Sequence, residues 1–358
     1  MIKFYKSSNA NANALLEAFP SFGYQVNDGA WRVQVGGWTY FPYTPTRRKR
    51  LVLHMFSRVM HATEEDLKSE IFRRRIEKFV SDGSAGHEIF FQLDDLQRKL
   101  HRKNKRNGHF REWVWLEKDQ VDANSIVDAN GRRRLNFRIE TDHEDIKPVD
   151  SFAYLLPRNG LSIISDIDDT IKVSNVGDRQ QLLANTFLRE FQGIKGMAEV
   201  YGDWFKTGAE FHYVSSSPWQ LHEPLLGLQT QGGFPGGTIH LRNFQLRNHM
   251  VQRALLIRRH GKSTSIKSLL EALPERKFIL IGDSGEKDPE IYRKICRKYT
   301  DQVVGLFIRD MKHKPVDEER LSKCRDALPN AVCEKFESAD QLRELASPVV
   351  KAASQNLV

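Results

Sequence analysis

The sequence predicts an α/β protein: a parallel sheet with helices on both faces, behind a smaller N-terminal domain that is β-rich or α+β. Three observations predict it. From Leu161 onward, short unbroken apolar runs alternate with helical stretches, as in strands buried on both faces. The first half is different: rich in Trp, Arg and turn signals, with runs that alternate polar and apolar. Finally, 358 residues leave room for two domains at roughly 150 residues each.

In the first half, Asn9 to Ala14 is a short biased stretch expected near a helix start. Trp31-Arg32-Val33-Gln34-Val35 alternates like a half-buried strand, and Gly36-Gly37 comes after it as a turn signal. Glu64 to Phe79 reads as one helix with Thr63 as N-cap. Glu88 to Leu93 and Leu135 to Ile139 read as strands, and Asp128-Ala129-Asn130-Gly131 as a hairpin-type turn. The character changes between Pro148 and Pro157. The expected domains are therefore 1–150 (accessory), 151–312 (the α/β domain) and 313–358 (a helical extension and tail, with Val316 to Leu328 and Ser338 to Leu345 helical).

Within 151–312 the apolar runs are Leu161 to Ile164, Phe211 to Val214, Lys277 to Ile281 and Val303 to Ile308, with Gly237 to Leu241 as a further candidate. Parallel sheets place their chemistry beyond the carboxyl ends of the strands. The first run ends in Ser165-Asp166-Ile167-Asp168-Asp169-Thr170. Three carboxylates in four residues repel in a low-dielectric site unless a cation compensates, and a hard oxygen-seeking cation such as Mg2+ suits them. The alternative is a structural turn or cap. The second run ends in Ser215-Ser216-Ser217-Pro218, where a hydroxyl could hold a phosphate oxygen or simply start a helix. Further on, Arg258-Arg259-His260-Gly261-Lys262-Ser263 offers a lysine that could neutralise a phosphoryl group, with Lys267 in the same region. The fourth motif, Gly282-Asp283-Ser284-Gly285-Glu286-Lys287-Asp288-Pro289, has glycines for a tight loop. Its Asp283 could complete a metal site begun by Asp166 and Asp168, and its Asp288 reads as the N-cap of a helix opening at Pro289.

This order of acid pair, hydroxyl, lysine and Gly-Asp resembles the haloacid dehalogenase (HAD) superfamily of phosphatases over residues 161 to about 311. Ile164 to Lys172, Tyr213 to Trp219 and Phe278 to Glu286 are similar to the fungal actin-patch phosphatidate phosphatase family and its bacterial relatives, which have a lipin-like catalytic domain. The resemblance implies a HAD-like, Rossmann-type catalytic domain that hydrolyses phosphatidate to diacylglycerol and phosphate through an aspartyl-phosphate. It implies Asp166 as nucleophile, Asp168 as acid and then base, and Thr170 as a brace of the loop. Ser215 would bind phosphate, with Ser216 or Ser217 as alternatives. Lys262 would neutralise charge, with Lys267 as the alternative. Mg2+ would be held by Asp166, Asp283 and the Asp168 backbone, and Asp288 would lie behind them or join the metal set. Asp169 takes no role from the resemblance. Another phosphomonoester substrate, or phosphatidate binding without turnover, remains the alternative.

Spacing bears on the substrate. Neither 171–210 nor 218–261 easily holds a large folded cap, so an open site suited to lipid presented at a surface is expected. Gly232 to Gly237 could be a loop with an exposed Phe234 at the mouth, or a simple turn. The charge balance, 55 basic against 46 acidic residues, gives +9 and favours polyanionic partners. The densest basic run, Arg98 to Arg106, suits anionic lipid; nucleic acid is disfavoured because the run lacks interleaved aromatics. No apolar run approaches the ~20 residues of a membrane helix. Three cysteines exclude a disulfide scaffold and, with no export signal at Met1 to Ser7, suggest a cytoplasmic protein, peripheral at membranes.

Overall fold

The computed structural model describes residues 14–26, 29–44, 46–243 and 261–355. The expectations for Met1 to Ser7, for Asn9 to Asn13 and for Arg258 to His260 fall outside the described residues. The chain forms two compact units. The first draws mainly on 14–56 and 73–157, the second on 57–72, 158–242 and 261–355.

The first unit is a ten-stranded sheet. Its strands are β1 (Leu15–Ala18), β2 (Ser21–Gln25), β3 (Trp31–Phe41), β4 (Asp82–Gly83), β5 (Ile89–Leu93), β6 (Leu96–Lys99), β7 (His109–Leu116), β8 (Ser125–Val127), β9 (Arg133–Thr141) and β10 (Val149–Leu156). Alternation assigns the two faces. Val33 and Val35, Leu135, Phe137 and Ile139, and Ala153 and Leu155 join one buried apolar core. The residues between them face the other way. The Asp128 to Gly131 turn is present: the Asp128 carboxylate accepts from the Asn130 and Arg132 N–H groups, and Gly131 takes φ +77°.

Two expectations for this half are corrected. Gly36-Gly37 does not end a strand, since β3 runs through it to Phe41. A Cβ on Gly37 would press on the Glu17 carbonyl and lie 2.5 Å from the Phe110 ring, so this glycine admits neighbouring strands. The helix over 64–79 is interrupted. Thr63 does cap it, in a reciprocal capping box with Asp66, but Ser69 is extended at ψ 147°. The Ser69 hydroxyl then accepts from the Phe72 N–H and restarts the helix at Glu70. The Arg98 to Arg106 run is a strand end and loop anchored by buried Leu100 and Asn104. Lys99 and Lys103 pair with Glu88, and His101 with Glu112.

The second unit carries a six-stranded, all-parallel sheet. Its strands are β11 (Leu161–Ser165), β12 (Glu210–Pro218), β13 (Thr238–Arg242), β14 (Lys277–Asp283), β15 (Val303–Arg309) and β16 (Val332–Phe336). Their order is β13-β12-β11-β14-β15-β16. Taken as strands one to six, that is 3-2-1-4-5-6, the doubly wound order, whose switch point lies between β11 and β14. Helix Ala339–Gln355 packs on β11, β15 and β16 together with helix Met197–Lys206. Helices Gly261–Ala272, Asp288–Lys298 and Glu318–Arg325 form the other layer. The expected parallel sheet with helices on both faces is thus observed. Its limits differ from the expected 150 and 312. β10 pairs with β9 and β2 in the first sheet, and β16 adds a sixth strand within the segment read as helix and tail.

Among the described residues, no large cap interrupts 171–210, which holds two helices of nine and ten residues. Phe234 is buried, edge-on to Tyr201, while the Tyr213 hydroxyl donates to the Pro235 carbonyl at 2.9 Å. The Gly232 to Gly237 segment is therefore a packed turn rather than an exposed aromatic loop. All three cysteines are buried and free. No described helix is long and apolar enough to cross a membrane.

Candidate active site

β11 is buried throughout and delivers Asp166 at its carboxyl end. The Asp166 N–H donates to the Ile281 carbonyl of β14 at 2.8 Å, which fixes the loop at the switch point. The chain then turns tightly. The Thr170, Ile171 and Lys172 N–H groups all donate to the Ile167 carbonyl, and Asp169 takes φ +56°. Asp169, which the resemblance leaves without a role, organises the segment from Ser174 to Val176. Its carboxylate accepts from the N–H groups of Ser174, Asn175 and Val176 at 2.7–2.8 Å, and its carbonyl accepts from Arg309. The Thr170 hydroxyl donates to Asp166 Oδ2 at 3.1 Å.

Two networks diverge from this loop. On the β14 side, Asp166, Asp283 and Asp288 are fully buried, each offering an oxygen within 4.8 Å of the others. Lys262 Nζ lies 2.7 Å from Asp166 Oδ1, 2.5 Å from Asp288 Oδ1 and 3.6 Å from Glu286 Oε2. Lys267, the alternative, is half-buried and lies beyond Lys262 on the same helix. Asp288 corrects one expectation. Lys287 occupies the N-cap position of the helix, and the Asp288 carboxylate turns inward to Lys262 and to the Asp283 N–H. Gly282 makes room for it: a Cβ there would press on Asp288 Oδ2 and lie 2.8 Å from the Tyr292 ring.

If all were ionised, four carboxylates (Asp166, Asp283, Asp288, Glu286) against one ammonium would leave a formal charge of −3 in a buried pocket. The titration behaviour reflects this. Burial pushes the Asp166 carboxyl well above its ordinary value; Lys262 opposes the shift, and Asp288 and Asp283 add to it. Burial and then Asp288 raise Asp283 to about 7. Burial acts against the Lys262 ammonium, but Asp166, Asp288 and Glu286 outweigh it and hold its pKa well above the usual lysine value. Asp283 Oδ1 accepts from the Glu286 N–H, whereas buried Asp283 Oδ2 has no hydrogen-bond partner among the described residues. An orphaned carboxylate oxygen amid converging carboxylates fits a hard divalent cation, which prefers oxygen ligands.

On the β12 side, Asp168 forms a separate network. Its Oδ1 accepts from Ser174 at 2.7 Å and pairs with buried Lys172 at 2.8 Å. Its Oδ2 accepts from Ser215 at 2.8 Å and Ser217 at 3.0 Å. Burial works to raise its pKa, yet Lys172, Ser174 and Ser215 overcome it and hold this carboxyl below the usual range. The Lys172 ammonium also lies 4.7 Å from the Phe191 ring centroid.

The predicted residues Asp166, Asp283, Asp288 and Lys262 therefore come together. The Asp168 carboxylate does not join that cluster, and the Ser215 hydroxyl, expected to face phosphate, donates to Asp168. Half-buried Ser216 alternates to the other side of β12. Sequence reasoning missed Lys172, Ser174 and the pairing of Ser217 with Ser215. That reasoning weighs Ser217 only as a substitute for Ser215, whereas strand periodicity, which puts residues two apart on one face, could have shown the two acting together. Lys172 and Ser174 sit in an irregular turn that no periodicity reads.

Comparison with known proteins singles out the same segment. Residues 161–310 match the family model described as phosphatidate phosphatase APP1, catalytic domain. The chain is 36% identical over 174 residues to an uncharacterized protein of Schizosaccharomyces pombe (strain 972 / ATCC 24843), covering 46% of this chain and 28% of that one. It is 32% identical over 189 residues to phosphatidate phosphatase APP1 of Saccharomyces cerevisiae (strain ATCC 204508 / S288c), covering 49% and 31%. The matches thus span less than a third of the length of these relatives. The resemblance to the actin-patch phosphatidate phosphatase family holds over 161–310, the segment that builds both networks.

Proposed function

We propose that this chain is a Mg2+-dependent phosphatidate phosphatase that releases diacylglycerol and phosphate at a bilayer surface. The observation that carries the reading is the buried cluster of Asp166, Asp283 and Asp288 around Lys262, within a segment matching a phosphatidate phosphatase catalytic domain. Asp166, Asp283 and Asp288 would hold the cation, together with the Asp168 backbone. When bound, Mg2+ offsets the negative charge that otherwise keeps an anionic nucleophile from an anionic phosphate.

The chain's own residues supply the rest. The Asp166 carboxylate attacks phosphorus, forming an O–P bond as the bond to the lipid oxygen breaks. Thr170 orients that carboxylate and Lys262 stabilises charge on the phosphoryl oxygens. Asp168 donates a proton to the departing alkoxide. It then takes one from water, which hydrolyses the aspartyl-phosphate and frees Asp166. In the arrangement described, Asp168 is held ionised by Lys172 and the serines, the state suited to the second step. The first step requires it to take up a proton from solvent as substrate enters, and it returns one to solvent after the aspartyl-phosphate is hydrolysed. Ser215, once released from Asp168, would meet a phosphoryl oxygen.

The deciding experiment measures phosphate release from phosphatidate in mixed micelles, and from a soluble phosphomonoester, with and without Mg2+. Release from phosphatidate that needs Mg2+ and is lost in Asp166→Asn supports the reading. Asp166-dependent release from the soluble ester alone keeps the chemistry and overturns the substrate. Release from neither, with phosphatidate still bound, makes the chain a binding module.

A further inference from the structure

The sheet of the first unit has one face closed by its apolar core and an opposite face of different chemistry. On that second face, strand register aligns Ile126 with Arg134, Arg134 with Tyr154, and Tyr154 with Phe22, of which Tyr154 and Phe22 are themselves buried and form the floor beneath the exposed residues. A neighbouring row aligns Tyr24 with Arg32 and Arg32 with Trp115, and Trp113 sits two residues from Trp115 on the same face. Basic and aromatic side chains thus share this face, which also carries Glu140 and Asp150, the latter paired with Arg138. They are also in contact. The Arg32 guanidinium lies 5.5 Å from the Trp113 ring centroid and 5.0 Å from that of Trp115, and Arg134 lies 5.1 Å from Phe152. Neither Arg32 nor Arg134 forms an ion pair among the described residues. Trp115 is 51% exposed and Ile126 42%. Each of these half-exposed apolar side chains thus has an arginine on the facing strand, Arg32 for Trp115 and Arg134 for Ile126.

We propose that this face is a docking surface for an anionic phospholipid bilayer. The inference deepens the phosphatase reading, because it names the surface that would bring the chain to lipid. Indole and phenol rings favour the interfacial depth of a bilayer, where one edge meets hydrocarbon and the other meets water. Arginine beside them meets anionic headgroups. Single-stranded nucleic acid is the competing polyanion, and the geometry disfavours it. Base stacking needs open ring faces, whereas Arg32 already lies over both Trp113 and Trp115.

The test is cosedimentation of the full chain with vesicles of phosphatidylcholine alone or with phosphatidylserine added, compared with binding to single-stranded RNA. Trp115→Ala and Ile126→Asp alter exposed side chains, and Arg32→Gln removes one charge. Turnover of a soluble phosphomonoester checks the site of the second unit in each variant. The parent chain is expected to bind vesicles containing phosphatidylserine. Each exposed-residue variant should weaken binding severalfold, and Arg32→Gln about five-fold, with soluble turnover unchanged. The proposal is overturned if the parent ignores anionic vesicles, if the three variants bind them like the parent, or if they lose RNA binding while keeping vesicle binding. Absent phosphate release from both phosphatidate and the soluble ester in the parent would count against the phosphatase reading alone, since vesicle binding is scored separately.

Discussion

Replacing Asp283 with asparagine removes one charge from the buried cluster while keeping the side chain's shape. In the folded chain without a cation the Asp283 carboxyl is raised to about 7, by burial and by Asp288. An unfolded aspartate titrates near 3.9. The folded state therefore binds this proton more tightly than the unfolded state does. Stability from this position is intact below about pH 4 and falls as the pH rises to about 7. At about 1.4 kcal/mol per pH unit, the gap corresponds to an upper figure of about 4 kcal/mol at pH 8. The same charge also raises Asp166, so part of the relief appears there. In chelator at pH 8, Asp283→Asn should therefore be more stable than the parent by about 2–4 kcal/mol, although it removes a residue of the proposed active site. The advantage should shrink towards pH 4.5. Added Mg2+ should stabilise the parent strongly and the variant little. Urea unfolding followed by tryptophan fluorescence measures this, with buried Trp204 and Trp219 reporting on the unit concerned. Comparing variant with parent at each pH cancels the titration of every group outside the cluster. Equal stability at pH 8, or an advantage unchanged between pH 4.5 and 8, would refute the reasoning.

Three further perturbations probe other parts of the molecule. Gly282→Ala should cost about 1–3 kcal/mol in urea unfolding through overpacking against Asp288 and Tyr292 and lower phosphate release; Gly202→Ala, in open space within a helix, should be neutral or stabilising in the same urea assay. Phe234→Ala should cost about 3–5 kcal/mol in urea unfolding because the ring is buried against Tyr201; a variant as stable as the parent would return Phe234 to the surface. Lys172→Met should cost about 3–5 kcal/mol by leaving Asp168 charged and unpaired in the interior, and adding Asp168→Asn should recover much of the loss, which a purely steric role for Lys172 would not allow.

The parts legible in the sequence are those governed by periodicity and by strand ends. The continuous apolar runs at Leu161, Phe211, Lys277 and Val303 each became a parallel strand, because strands covered on both faces cannot alternate. β16 escaped notice because Val332-Cys333-Glu334-Lys335-Phe336 is an edge strand carrying charged residues, and its burial pattern is correspondingly mixed. Gly36-Gly37 misled for a different reason. Glycine marks turns locally, yet here it serves close packing against Glu17 and Phe110, a contact made by distant strands. The Phe234 segment is similar: its turn residues were readable, but the destination of its one aromatic ring depends on Tyr201 and is set by tertiary packing.

The two aspartates of the first motif show why a correct motif still leaves chemistry undetermined. They are two residues apart, but β11 has a different neighbour on each side, β14 on one and β12 on the other. Asp166 is drawn to the β14 side, into a cluster with more carboxylates than cations. Asp168 is drawn to the β12 side, where one carboxylate meets Lys172 and three serine hydroxyls. Their pKa values accordingly move apart, Asp166 up and Asp168 down. Environments that separate two carboxyls in this way are how one site can divide nucleophile from acid–base work. Burial raises Asp166, and Asp288 and Asp283 add to the shift against Lys262, whereas Lys172 and the serines overcome burial at Asp168. The strand order, more than the motif, therefore decides that Asp166 joins the carboxylate cluster and Asp168 the network of lysine and serines.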